Sequence, residues 1–255
     1  MEVTRENLEI VMRRLDSENS WRKYQVNYPD ADRGNFQIRK FSIPPWDKMR
    51  RRLILTEGIN RDPGSGDFTK LQEIIPGAGP EGQDLKRVWM SDTHAEILEH
   101  SPVLNKFYQA RNTPHKRVLV NGLGLGLVVH AALTFDSIAH IDVVEHNEDI
   151  IELVGKHLIK EYPRVTIHLG DAYDMHWPPG TRWDFAWHDI WPEINDENIP
   201  GMDNLMLKYK TRVAWQGCWQ RQGCLAMARI FEQMKNKTLS PERAWQLFGG
   251  KGWLE

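Results

Sequence analysis

The sequence predicts an α/β fold: a Rossmann-like, doubly wound, mostly parallel sheet with a small N-terminal β-containing appendage. Three observations predict it. Residues 117–145 read as strand, glycine turn, helix, strand and acid, the layout of a nucleotide-binding βαβ unit. Beyond them, strand-length apolar runs alternate with helix-period segments, which implies parallel strands joined by crossover helices. Before them, residues 1–110 mix a helix, short strands and turn-rich loops. The chain therefore divides into an appendage (1–110), a ligand-binding domain (111–239) and a tail (240–255).

Periodicity and punctuation give the elements in order. Residues 2–15 are an amphipathic helix, apolar at Val3, Leu8, Ile10, Val11 and Leu15, with Thr4 as N-cap. Residues 16–34 are a polar connector. Residues 36–43 alternate as a strand that Pro44-Pro45 stops. The basic cluster at 48–52 reads as a solvated face or loop, or else as a contact for an anionic partner. Residues 53–55 read as a second strand, and 57–84 as loop with at most one short strand. Residues 87–90 are a strand. A helix capped by Ser91 or Asp92 then runs to about Gln109, with a break at Pro102.

In the second half, residues 117–120 form the first strand, 127–133 its helix and 141–144 the next strand, ending in Glu145. Asn147 caps a helix to Glu161 whose apolar face holds Ile150, Val154 and Leu158. Residues 165–169, 183–188 and 212–217 are the remaining strands, with helices over 198–209 and 225–234. Ser240-Pro241 opens a short terminal helix.

The glycine turn discriminates between ligands. Gly122, Gly124 and Gly126 make G-x-G-x-G; the sixth position of a dinucleotide fingerprint is Leu127, and no Lys-Ser/Thr of a P-loop follows. Glycines let backbone N–H groups approach a ligand at the positive end of the following helix. The turn is also compatible with tight packing alone. In a parallel sheet the ligand lies at the carboxyl ends of the strands. That edge collects residues 122–126, Glu145, Asp171 and Asp189.

Composition bounds the rest. The chain has 255 residues, 40% of them apolar, enough for one large domain or one domain with an appendage. A net charge of −2 gives no global bias toward nucleic acid or membrane. Cys218 and Cys224 have no disulfide framework around them and fit a reducing compartment. The first residues lack a signal-peptide core, and no apolar run reaches the roughly 18 residues of a membrane span. A cytoplasmic protein without a membrane partner is expected. The ten histidines lack metal-ligand spacing, so no metal is expected.

With these residues in view, the chain resembles class I S-adenosylmethionine-dependent methyltransferases, and within them the spermidine-synthase-like branch. Val118 through Gly126 looks like the motif that cradles the methionine part of the cofactor, S-adenosyl-L-methionine or its decarboxylated form. Glu145-His146-Asn147 is similar to the ribose-gripping end of the second strand. Gly170-Asp171-Ala172 looks like the signature at the adenine. Trp183 through Asp189 resembles the motif beside the transferred group, and residues 88–96 resemble the strand and helix that precede the glycine turn. Leu123 and Leu125 depart from that branch, which carries a more glycine-rich, acid-bearing turn. Asp189-Ile190-Trp191-Pro192 is one residue shorter and one acid poorer than D-S-S-D-P.

The resemblance implies a transferase. Asp189 is the candidate catalytic residue, to hold or deprotonate an acceptor amine or hydroxyl; a helix cap or an arginine pair would explain it structurally. Trp191, with Trp187 and Trp177, can form an aromatic wall or simply pack. Asp92 and Glu96 can line the acceptor side or cap a helix. Desolvated polyamines need paired carboxylates, so the single acid favours methyl transfer to an unassigned acceptor. Aminopropyl transfer from the decarboxylated cofactor comes second, and cofactor binding without turnover third. The expected partner is a small-molecule acceptor; nucleic acid stays open through residues 48–52, and so does a homodimer.

Overall fold

The computed structural model describes residues 4, 7–18, 20–240 and 243–244. Two sheets organise them. The N-terminal one is antiparallel, in the order β1 (Ala31–Arg33), β2 (Phe36–Ile43), β3 (Gly66–Ile75), β4 (Leu85–Ser91). Two helices accompany it, α1 (Leu8–Ser17) and α2 (Lys48–Glu57), which meet through Leu8, Met12 and Ile54.

This half departs most from the sequence reading. Residues 48–57 are one helix, not a loop followed by a strand. The Asp47 side chain accepts the N–H of Arg50 at 3.0 Å and caps it. Nor is the basic run wholly solvated: Arg50 is fully buried, its guanidinium bonded to Asp62 at 2.6 and 2.9 Å and to Asp16 at 2.7 Å. A buried guanidinium keeps its charge only with such partners. The region read as loop contains the ten-residue β3, whose Lys, Gln and Glu positions mask the alternation. At the chain start Thr4 and Asn7 exchange side-chain bonds, and Asn7 occupies the cap position. The predicted terminal helix falls outside the described residues except at 243–244.

Two helices lead into the second sheet, α3 (His94–Glu99) and α4 (Ser101–Gln109). The break is at His100; Pro102 sits in the first turn of α4, where its missing N–H costs nothing. Thr93 holds the cap position of α3, not Ser91 or Asp92.

The second sheet has the order β7-β6-β5-β8-β9, all parallel. Its strands are β5 (Lys116–Asn121), β6 (Ile138–Glu145), β7 (Val165–Leu169), β8 (Trp183–His188) and β9 (Val213–Cys218). The helices are α5 (Leu127–Leu133), α6 (Glu148–Ile150) running through a π-helical turn (Ile151–Gly155) into α7 (Lys156–Glu161), α8 (Ile199–Tyr209) and α9 (Arg221–Lys235). Asn147 caps α6 by accepting from the N–H groups of Asp149 and Ile150. Alternate β5 residues face opposite cores, Val118 and Val120 one way and Leu119 the other, as a sheet covered on both faces requires. The larger core also contains Phe36, Ile38, Phe68 and Leu71 from the antiparallel sheet. Cys218 and Cys224 are buried free thiols. Among the described residues no helix is long and apolar enough to cross a membrane.

Candidate active site

Strand order reverses between β5 and β8, and crossovers leaving in opposite directions open a crevice at the strand ends. The glycine turn fills one side of it. Gly122 has φ +93°, and a Cβ there would lie 1.9 Å from the carbonyl oxygen of Asp189. That approach comes from the stitching of the strand ends: Asp189 N–H donates to Asn121 O at 2.8 Å, and Gly122 N–H to Val144 O at 2.8 Å. Gly124 has φ +50°, with the Met90 methyl 3.0 Å from its would-be Cβ.

Glu145 ends β6 with 4% exposure. One carboxylate oxygen accepts the Leu123 N–H at 2.9 Å; the other accepts the Asn147 N–H at 2.9 Å and lies 3.2 Å from His146 Nδ1. Burial raises its pKa, but His146 and the two N–H groups outweigh it and hold the carboxyl below its ordinary value. Glu145 thus ties the glycine turn to the second strand while facing the crevice.

The crevice contains a cavity of about 250 Å³. Gly122, Gly124, Glu145, His146, Asp171, Ala172, Asp189 and Trp191 all line it. Gly126 instead holds the cap position of α5 with φ +77°, outside the lining. Asp92 and Glu96 are also outside it. The Asp92 carboxylate accepts the N–H groups of Thr69 at 2.6 Å and Val26 at 3.1 Å, fastening β3 to the preceding connector. Trp187 is 1% exposed and stacks on Trp215, and Trp177 packs against Trp183, so of the three tryptophans Trp191 alone lines the cavity. His188 points into the interior toward Asn121 and Gln216.

The sequence reading did not single out Trp89, Met90, Tyr173 and Ile190, which also line the cavity. Met90 Sδ accepts the Leu125 N–H at 3.3 Å, so the antiparallel sheet touches the glycine turn directly. Their available signal was position: residues 88–96 resemble the segment before the turn, and Tyr173 follows Asp171-Ala172.

No ion pair between Asp189 and an arginine is seen among the described residues. Burial, with Glu96 and Glu99 adding like charge, pushes its carboxyl up to about 8. Burial likewise pushes Glu96 up to about 7, although the Ser91 hydroxyl donates to it at 2.8 Å. Glu99 meets Arg61 at 2.9 Å and the Trp219 indole N–H at 3.1 Å. Three carboxylates, Glu145, Asp171 and Asp189, line the cavity, and no described lysine or arginine does. Among the described residues no group of three side chains converges as a metal site.

These acids set a pH dependence of stability. A carboxyl whose folded pKa is raised binds its proton better in the folded chain. Its contribution is complete at low pH and is lost as pH rises through the folded value, here about 7 for Glu96 and about 8 for Asp189. His100 and His188, held near 4 by burial, act in the opposite sense, but only below the ordinary imidazole value of about 6.5. His146, raised by Glu145, acts in the same sense as the acids. Above about pH 7 stability should therefore fall, by about 1 kcal/mol or 2–4 °C in Tm up to about pH 8.5. Thermal melts of the wild type and of Asp189→Asn check this. The variant should lose most of the slope, and a flat wild-type profile would remove the buried acids from the account.

No family model matches the chain. It is similar to polyamine aminopropyltransferases from two strains of Synechococcus sp., at 26% identity over 170 and 159 residues. These matches cover 63% and 57% of this chain and 53% and 48% of the relatives, so the chain spans about half the length of the curated relatives it matches. Among solved structures, a dimethyladenosine transferase from Plasmodium falciparum overlaps 43% of this chain and 36% of its own, at 20% identity and TM-score 0.33. The CcbJ methyltransferase from Streptomyces caelestis overlaps 45% and 48%, at 14% identity and TM-score 0.35. The resemblance read from the motifs stands: the chain has an α/β fold with a parallel five-stranded sheet, and its sequence matches lie in the spermidine-synthase-like branch.

Proposed function

We propose that this cavity binds decarboxylated S-adenosylmethionine and that the protein transfers its aminopropyl group to a small amine. The observation that carries the reading is the acidity of the site: the carboxyl groups of Glu145, Asp171 and Asp189 line it, Glu96 and Glu99 stand behind Asp189, and among the described residues no lysine or arginine lines it. Intact S-adenosylmethionine brings a carboxylate of its own, which this wall repels, whereas the decarboxylated form and an amine acceptor bring only positive charge. Glu96 and Glu99 supply the acidity that Asp189-Ile190-Trp191-Pro192 lacks in sequence.

The residues present fit such a group. The Gly122 and Gly124 positions leave room that a Cβ would fill, Glu145 has a carboxylate lone pair left for a ribose hydroxyl, and Asp171 and Ala172, which line the same cavity, would take the adenine. When bound, the sulfonium supplies an activated carbon: the amine nitrogen bonds to it as the carbon–sulfur bond breaks and sulfur keeps the electron pair. Asp189, once ionised, takes the proton that the amine must lose. Trp191 and Tyr173 supply aromatic surface to the same cavity.

Methyl transfer from the intact cofactor is the second reading, favoured by the missing second acid after Asp189. Mass spectrometry with either cofactor and putrescine as acceptor separates the two. The expected products are an aminopropylated amine and methylthioadenosine. Methylated product with S-adenosylhomocysteine would establish the second reading, and failure of both cofactors to bind in calorimetry would overturn both.

A further inference from the structure

We propose that His100 is a positioning residue for Asp189: a neutral imidazole whose Nδ1–H turns onto Asp189 Oδ2 when that carboxyl ionises, setting the pH at which Asp189 can take a proton. The inference deepens the group-transfer reading above and rests on it.

His100 is 1% exposed, and neither ring nitrogen has a hydrogen-bond partner. Leaving buried polar atoms unpaired costs about 1–3 kcal/mol each, so such groups call for an explanation. The shell around the ring is apolar: Ile97, Leu104, Leu127 and Val128 flank it, and the Trp187 ring meets it edge-on at 6.1 Å. Tyr24, on the short turn before β1, lines the same pocket as the ring, and Asp189, after β8, has Glu96 and Glu99 of α3 and Cys218 of β9 as its titratable neighbours. Glu96 is taken by Ser91, and Glu99 by Arg61 and Trp219. Asp189 is the nearest acid, its Oδ2 3.8 Å from His100 Nδ1.

That distance is about 1 Å beyond a hydrogen bond, a gap that a small turn of either side chain closes. A protonated carboxyl has no charge to draw the ring in. An ionised one, enclosed with Glu96 and Glu99, needs a donor, and a neutral imidazole offers one N–H without adding a full charge. The ring is held ready by its backbone: His100 is the joint between α3 and α4, and its carbonyl accepts the N–H groups of Val103 and Leu104 at 3.1 Å. Burial keeps the imidazole neutral, with its pKa near 4. In the transfer step the amine proton passes to Asp189, the His100 proton stays on Nδ1, and the contact relaxes when Asp189 is neutralised.

The test has two parts on the full chain. Ring 15N NMR from about pH 6 to about pH 9.5 should show Nδ1 as the protonated nitrogen of His100, with a shift that follows Asp189 ionisation and is absent in Asp189→Asn. A ring that keeps its proton on Nε2, or ignores pH across this range, overturns the proposal. The acidic limb of the kcat/KM profile should move up by about one pH unit in His100→Leu, a tenfold loss near pH 7 that fades near pH 9, and return in His100→Asn. An unmoved limb in folded His100→Leu also overturns it. If that variant does not fold, the wild-type NMR titration decides. Failure of nucleoside binding or transfer would sink the proposed reaction, whereas the NMR coupling between His100 and Asp189 is read without any ligand.

Discussion

Asp189→Asn is expected to lower turnover by a factor of about 10² to 10⁴, the range for loss of a positioned acid–base group. Under the proposed reading nucleoside affinity should stay within about threefold, because the glycine turn, Glu145 and Asp171 would hold the nucleoside and Asp189 would act on the acceptor. The substitution suits the site: the buried carboxyl is protonated below about pH 8 in the free protein, and an amide matches its shape without its proton chemistry. Folding should therefore survive, and lost activity can be read as lost chemistry. Single-turnover product formation, measured beside calorimetric binding, checks both halves. Unchanged turnover would leave the reaction to alignment alone.

Gly122→Ala should have the largest effect on the folded chain, a loss of more than about 3 kcal/mol and of nucleoside binding with it. Two costs coincide there. The backbone occupies the left-handed region at φ +93°, and the added methyl would stand 1.9 Å from the backbone oxygen of Asp189, a residue whose own N–H is tied to Asn121 O at the strand end. Gly124→Ala is the built-in control. Its φ is +50°, its nearest neighbour is the mobile end of Met90 at 3.0 Å, and about 1–2 kcal/mol is expected. Denaturant unfolding of the pair measures the difference. Equal, small losses would mean that the Asp189 carbonyl does not approach the turn as described.

The parallel sheet was legible because its strands are continuous apolar runs whose ends carry glycine or acid. Residues 117–120, 165–169 and 183–188 could be placed almost to the residue. The antiparallel half was harder to read for a physical reason. Strands with one solvated face, such as β3, alternate apolar residues with Lys, Gln and Glu, and between glycine-rich loops the pattern looks like more loop. Arg50 misled for a different reason: a buried ion pair is spelled with the same letters as a solvated charge, and its partners Asp16 and Asp62 are distant in sequence. The crevice followed the strand-end rule, which needs only topology. Of the acids behind Asp189, Glu96 was singled out from its motif, whereas Glu99 was not, because its approach to Asp189 is a tertiary event that no local pattern records.

Met90 gives the two-sheet arrangement a further meaning. Its sulfur accepts an N–H of the glycine turn, its methyl closes on Gly124, and neighbouring Trp89 completes the rim of the cavity. The cavity is therefore roofed by a segment encoded upstream of the parallel sheet, and a single core runs through both. The parallel sheet is not a portable cassette: grafted onto another scaffold without β4, it would carry its glycines and acids but leave that roof behind. A substitution in β4 that reshapes this roof, at Met90 above all, would act on the cavity and on the glycine turn together.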